Sequence, residues 1–263
     1  MKEEPCETAP AGPAGEAGCP MPNAGVLGEP PGPRASRVET WRSLHSGLGE
    51  PAFNMALDEA LLATAPELGQ PVLRFYGWTE PAATFGYSQR YADVEKLTPL
   101  RPLIRRPTGG GVVPHDRDWT YTLVFPPNHG WYRLRARESY ERLHAWLQRA
   151  FERLGLATDL APTPAAGPPT HCFVRPEQFD VLWRGAKIAG AAQRRTKTGL
   201  LIQGSVQPPA GCERAAWEDA ACALATDSWQ VAWRVWIPEP DWLAQVNDLA
   251  RRKYALDAYN RRR

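Results

Sequence analysis

No apolar run in this chain approaches the ~20 residues that cross a bilayer as a helix, which leaves no membrane span to be read in its 263 residues. The basic-then-apolar opening of a secretory signal is missing too, because Lys2 is followed by Glu3, Glu4 and Pro5. A cytoplasmic location without a membrane partner is the expectation. Net charge is small, +2 at pH 7, so no global field calls for nucleic acid. The runs Arg251-Arg252-Lys253 and Arg261-Arg262-Arg263 are read as a solvated helix face and a tail. Cysteine is scarce and unpatterned. The five, at 6, 19, 172, 212 and 222, form no Cys-x-x-Cys and have no histidine at zinc spacing. That argues against a disulfide framework or a zinc site, and each is expected as a free thiol. Large aliphatic residues are nearly missing from residues 1–36, where Pro, Gly, Ala and Glu dominate. Such a segment buries too little apolar surface to offset its ordering entropy, so it is expected to be a disordered tail. Residues 37–263 remain as the folded domain.

What is present reads as alternating helices and strands. Phe53, Ala56, Leu57, Ala60 and Leu61 recur at helical spacing, with Pro51 suited to the first turn and Asn54, Asp58 and Glu59 off the apolar stripe. A second helix is predicted from about 138 to 154, burying Tyr140, Leu143, Leu147, Phe151 and Leu154 and stopped by Gly155. Strands are predicted at 72–76, 82–87, around Leu103, at 119–125, 179–183, 187–189, 200–202 and 232–237. Residues 161–169 are a Pro/Ala-rich loop, and helices are predicted near 213–224 and 242–253. The order suggests one α+β domain with a substantially antiparallel sheet.

Three segments carry chemistry. Arg105-Arg106-Pro107-Thr108-Gly109-Gly110-Gly111 leads to His115-Asp116 between two strands. Glycines let the backbone lie against a ligand, their amides can form an anion-binding turn, and the arginines can add charge. The second segment runs from Phe179-Asp180-Val181 through Gly185-Ala186-Lys187-Ile188-Ala189-Gly190 to Gln193-Arg194-Arg195. A lysine between small residues is commonly a solvent-facing hairpin residue; here the bracketing glycines would also let its ammonium polarise an acyl carbonyl or pair with a phosphate. The third is Cys172, either an inert small hydrophobe or, with Lys187 beside it, a thiolate nucleophile. Trp229, Trp233 and Trp236 could line an acyl tunnel or pack in the core.

Together with Asn54-Met55-Ala56-Leu57-Asp58-Glu59 and Arg74-Phe75-Tyr76-Gly77-Trp78, these motifs resemble the lipoate–protein ligase and octanoyltransferase family from about Thr40 onward. That family shares its catalytic domain with biotin protein ligases. Cys172-Phe173 ahead of Phe179-Asp180, the segment Ala191-Ala192-Gln193-Arg194-Arg195 and the C-terminus resemble the cysteine-dependent octanoyltransferases of the LipM type. Those enzymes often place an arginine where this chain has Gly111, and the region between Gly204 and Trp229 is shorter than theirs.

The resemblance implies a single mixed, largely antiparallel sheet flanked by helices, of the class II synthetase and biotin–lipoate ligase kind. It implies an acyltransferase that moves octanoyl from octanoyl-acyl carrier protein through a Cys172 thioester to the lysine of a lipoyl domain. Acceptors would be the glycine-cleavage H protein or a 2-oxoacid dehydrogenase E2. Cys172 and Lys187 would be catalytic, with Arg106, Thr108, Gly109, Gly110, Gly111, His115 and Gly190 binding substrate. Arg106 and His115 would orient rather than react, and Arg194, Arg195 and Lys197 would suit acidic carrier and lipoyl domains or stand solvated. No cofactor is implied. The alternatives are a lipoate–protein ligase using ATP and Mg²⁺, a lipoyl-domain amidotransferase, and a non-catalytic acyl-binding subunit.

Overall fold

The structure is a computed structural model that describes residues 38–163 and 176–262. The expected tail at 1–36, most of the Pro/Ala loop and the Cys172 segment therefore lie outside the described residues. In chain order the strands are β1 (Glu39–Gly49), β2 (Val72–Trp78), β3 (Ala82–Phe85), β4 (Leu103–Arg105), β5 (Val113–His115), β6 (Trp119–Phe125), β7 (Asp159–Leu160), β8 (Val181–Trp183), β9 (Ala186–Thr196), β10 (Gly199–Val206) and β11 (Val231–Val235). The helices are α1 (Pro51–Leu68), α2 (Tyr91–Val94), α3 (Gly130–Arg133), α4 (Ala136–Arg153), α5 (Arg214–Trp229), α6 (Pro240–Leu249) with a π-helical turn at Ala250–Tyr254, and α7 (Asp257–Asn260). None of these helices is long and apolar enough to cross a membrane.

The main sheet runs β11-β1-β2-β6-β10-β9-β8-β7. β1 is parallel to both neighbours and the other pairings are antiparallel, so the sheet is mixed and largely antiparallel as expected. β3, β4 and β5 form a second, three-stranded sheet around their own apolar cluster of Ala83, Phe85, Val94, Leu103 and Val112. The chain leaves the main sheet at Glu80-Pro81, and Pro81 has no N–H to extend the ladder.

Strand periodicity decides which helix covers which face, since successive side chains point to opposite sides. Leu73, Phe75, Leu123, Phe125, Leu200 and Ile202 pack with Leu143, Leu147 and Phe151 of α4 and Trp217 and Leu224 of α5. Their alternates Val72, Val124 and Leu201 pack with Leu57 and Leu61 of α1, Val246 of α6 and Tyr254. α4 begins near its expected position and ends where Gly155 (φ 77°) supplies the left-handed residue. There the amides of Gly155 and Leu156 return to the carbonyls of Glu152 and Phe151 at 3.0 and 3.1 Å. Lys253 is not part of a solvated face: its Nζ donates to both oxygens of Glu59 on α1 at 2.6 and 2.7 Å.

Asn54 and Asp58 lie off the apolar stripe and are nonetheless fully buried. The sheet side of α1 is wider than its apolar stripe. Across β2, β6 and β10 the register aligns Arg74, Thr122 and Gln203 in one row, and all three bond to Asp58. Arg74 Nη1 donates to Oδ1 at 2.6 Å, while Thr122 Oγ1 and Gln203 Nε2 donate to Oδ2 at 2.8 and 2.7 Å. Asn54 Oδ1 accepts from Arg74 Nη2 at 2.6 Å, and its amide caps the carbonyls of Gly49 and Gly77. A polar belt is thus sealed between helix and sheet.

Candidate active site

One row beyond the belt, the register aligns Tyr76, Thr120, Ser205 and Gly190 across β2, β6, β10 and β9. These four residues floor a cleft that Arg106, Gly110, His115 and Lys187 also line. Met55 and Val113 supply apolar wall. Five of the site residues expected from sequence therefore meet in one place: Arg106, Gly110, His115, Lys187 and Gly190. Thr108 is buried beneath the loop, the carbonyl of Gly109 accepts from Arg106 Nη2, and Gly111 is half-buried at the loop's end. Cys172 lies outside the described residues.

The glycine loop is held from below. Thr108 Oγ1 donates to Gln203 Oε1 at 2.7 Å and accepts from Arg106 Nε at 3.1 Å, tying the loop through Gln203 to Asp58. Gly110 takes φ 87°. Its carbonyl sits so close to Gly86 that a Cβ at position 86 would stand 2.0 Å from it, a role for Gly86 that the strand reading did not suggest. The two arginines part company because neighbours on a strand face opposite ways. Arg106 lines the cleft, whereas Arg105 donates to the carbonyls of Tyr87, Gln89 and Asn260 at 2.8, 2.6 and 2.8 Å and anchors the C-terminus.

Lys187 Nζ stands 2.7 Å from Asp180 Oδ2, with the two side chains 4% and 0% exposed. The other carboxylate oxygen accepts from Tyr140 OH at 2.5 Å, and the amide of Glu177 donates to Oδ2 at 2.6 Å. Burial, then the charge of Asp180, holds the Tyr140 phenol far above its usual pKa, so it remains a donor. Gly190 makes the seat for Lys187, since a Cβ there would lie 2.6 Å from Cε and 2.7 Å from Nζ. Gly190→Ala is expected to displace the ammonium rather than the backbone, because a flexible side-chain end yields first. The expected loss of activity is on the order of 10²-fold, with a lowered thermal melt because buried Asp180 loses its partner; an unchanged rate would show the seat to be dispensable.

His144 packs against Tyr140 with ring centroids 4.1 Å apart and holds the Tyr140 carbonyl at 2.9 Å. Burial pushes its imidazole pKa down to about 4, despite the nearby Asp180 charge, which acts to raise it. Between that value and the ordinary one near 6.5, the unfolded chain binds a proton that the folded one does not, so stability falls as pH drops through this window. His144→Phe is expected to flatten the decline, read as unfolding midpoints between pH 7 and 4.5.

His115 is fixed at both ring nitrogens, with Nδ1 2.8 Å from Asp118 Oδ2 and Nε2 2.8 Å from Thr84 Oγ1. Trp78 stacks on the ring at 3.9 Å. The carboxylate partner is Asp118, not the adjacent Asp116, which is exposed. Asp118 Oδ2 also accepts from Ser205 Oγ at 2.6 Å and Thr120 Oγ1 at 3.1 Å. The tryptophans raised as tunnel candidates are elsewhere: Trp229 and Trp233 pack against the α4–α5 core and Trp236 against the α1 core. Neither described cysteine lines the cleft. Burial pushes the Cys222 thiol up to about 12 and raises that of Cys212, which leaves both poor nucleophiles.

Known proteins match this chain in sequence and shape. Residues 50–207 match the family described as the lipoyl protein ligase A/B catalytic domain. An octanoyltransferase LipM of Kyrpidia tusciae is 37% identical over 182 residues, covering 64% of this chain and 66% of its own. The octanoyltransferase LipM of Bacillus subtilis is 35% identical over 181 residues, 64% and 65% of the two chains. The match thus spans just under two thirds of these relatives' own length. Among solved structures, a lipoate-protein ligase A bound with ATP superimposes with a TM-score of 0.69 at 18% identity, covering 86% of this chain and 99% of that one. The bipartite lipoate protein ligase of Thermoplasma acidophilum does so with a TM-score of 0.65 at 18% identity, covering 86% and 97%. The mixed sheet with helices on both faces is the fold of these ligases. By the match over residues 50–207, the chain belongs to the lipoyl protein ligase A/B catalytic domain family.

Proposed function

We propose that the chain is an acyltransferase that moves octanoyl from octanoyl-acyl carrier protein to the lysine of a lipoyl domain through a thioester on Cys172. The Cys172 thiolate adds to the donor carbonyl, and the tetrahedral intermediate expels the carrier thiolate, which takes up a proton. The acceptor amine then adds to the enzyme thioester, loses a proton and releases the Cys172 thiol, leaving an octanoyl amide. Each addition develops an oxyanion. Lys187 and the loop amides around Gly110 are the donors assigned to it, with Arg106 and His115 orienting the loop and the substrate. The donor thioester brings its own activation, so neither ATP nor a metal ion enters the scheme.

The observation that carries this reading is the seating of Lys187. An ammonium paired with a buried carboxylate, resting on a glycine, faces a cleft roofed by a glycine loop. The relatives named as octanoyltransferases favour transfer over ligation. Purified protein mixed with octanoyl-acyl carrier protein and an apo lipoyl domain, without ATP, is expected to modify the acceptor. Modification only with free octanoate, ATP and Mg²⁺ would assign the ligase reaction instead. Modification only from an octanoylated lipoyl domain would assign amidotransfer. Glycine-cleavage H protein and a 2-oxoacid dehydrogenase E2 domain are the acceptors to compare.

A further inference from the structure

Several surface arginines are neutralised where they stand. Arg153 pairs with Asp227, Arg251 and Arg252 with Asp248, and Arg261 with Asp257. Lys96, Arg101, Arg117, Arg184 and Arg234 are exposed on other elements without such a partner, and five more gather on one ridge. Arg133, Arg135 and Arg137, flanking the start of α4, and Arg195 and Lys197, at the end of β9, are all exposed. Among the described residues none of the five pairs with a carboxylate at ion-pair distance.

The ridge is a single surface. Gln193 Nε2 on β9 donates to the carbonyl of Ala136 at 2.7 Å, and Tyr132 OH donates to the carbonyl of Thr196 at 3.0 Å. The Arg195 guanidinium lies over the Tyr132 ring, 5.8 Å from its centroid. Glu138, an exposed carboxylate within the same turn, spends one oxygen on capping the amide of Arg135 at 2.9 Å.

Resting on the transferase reading above, we infer that this ridge docks the octanoyl donor, an acidic carrier domain that presents its thioester on a long flexible arm. Charge supplies the first argument, because an unneutralised basic surface steers and retains an acidic partner. Reach supplies the second. β9 runs from the ridge into the cleft, and at about 3.3 Å per residue Gly190 stands roughly 10 Å from Gln193 and roughly 17 Å from Arg195. A domain seated on the ridge needs an arm of that order to bring a carbonyl to Lys187. A lysine side chain is shorter, so an acceptor lipoyl domain must sit nearer the cleft mouth.

The test compares wild type with Arg133→Glu/Arg195→Glu/Lys197→Glu in single-turnover acylation from two donors. Octanoyl-acyl carrier protein carries the proposed docking surface; octanoyl-pantetheine carries the same thioester without it. The variant is expected to lose on the order of 10- to 100-fold in kcat/KM with the carrier donor and to keep the wild-type rate with octanoyl-pantetheine. Added salt should slow wild type with the carrier donor and leave the variant nearly unaffected. Equal carrier-donor rates would overturn the assignment. A raised KM for the lipoyl domain with an unchanged donor KM would also overturn it, by giving the ridge to the acceptor. Should both donors slow together, the single variants Arg133→Glu and Lys197→Glu repeat the comparison, and parallel loss there overturns it as well. Failure of the transferase reading looks different, since wild type would then take octanoyl from neither donor and the docking assignment would fall with it.

Discussion

Lys187→Ala is expected to slow acylation by octanoyl-acyl carrier protein on the order of 10²–10³-fold, the loss typical of removing one oxyanion donor. The same change also strands Asp180, whose side chain is fully buried and keeps only Tyr140 OH and the Glu177 amide among the partners described above. Stability and rate therefore fall together in the single variant. A double variant, Lys187→Met/Asp180→Asn, separates them, because neither buried charge survives. Its unfolding midpoint is expected to recover much of the loss, while its acylation rate stays low. A double variant as fast as wild type would remove Lys187 from the chemistry.

Asp58→Ala is expected to cost about 3–5 kcal/mol of stability, the range for breaking a buried ion pair from one side. Asp58 and Arg74 are both 0% exposed. Without the carboxylate, the Arg74 guanidinium keeps Asn54 and Ser46 as hydrogen-bond acceptors and the Tyr76 ring 3.8 Å beneath it, and Tyr76, Thr122 and Gln203 lose an acceptor. The effect reaches the cleft, since Gln203 also holds Thr108 beneath the glycine loop. Urea unfolding gives the stability, and acylation of the remaining folded protein gives the rate. A cost below about 1 kcal/mol, in the range of an exposed pair, would mean the belt is not what holds helix and sheet together.

The distance between these two sites in sequence explains what could be read in advance. Both long helices were legible because their apolar stripes and stops are local, as Pro51 and Gly155 illustrate. The Lys187 bracket was legible too: Gly190 is three residues away, and close packing between small residues is written in adjacent positions. The belt was not. Asn54 and Asp58 read as the polar side of an amphipathic helix, and Arg74 as one charge within a strand. Only the three-strand register that aligns Arg74, Thr122 and Gln203 shows that these charges face one another. The partner of His115 escaped for a smaller reason. Asp116 is adjacent, but β5 ends at His115 and the following turn brings Asp118 back to the ring. Tyr140 and His144 share α4, and nothing local in the sequence joins that helix to Lys187. Gly86 stood in an expected strand, where only the arrival of the Gly110 carbonyl explains why no larger residue fits.

Intact-mass spectrometry of the protein after mixing with octanoyl-acyl carrier protein, without acceptor, tests the central claim most directly. A single added octanoyl group, mapped by peptide fragmentation to Cys172 and missing from Cys172→Ser, is the predicted result. An unmodified Cys172 in a sample that still octanoylates a lipoyl domain would contradict it.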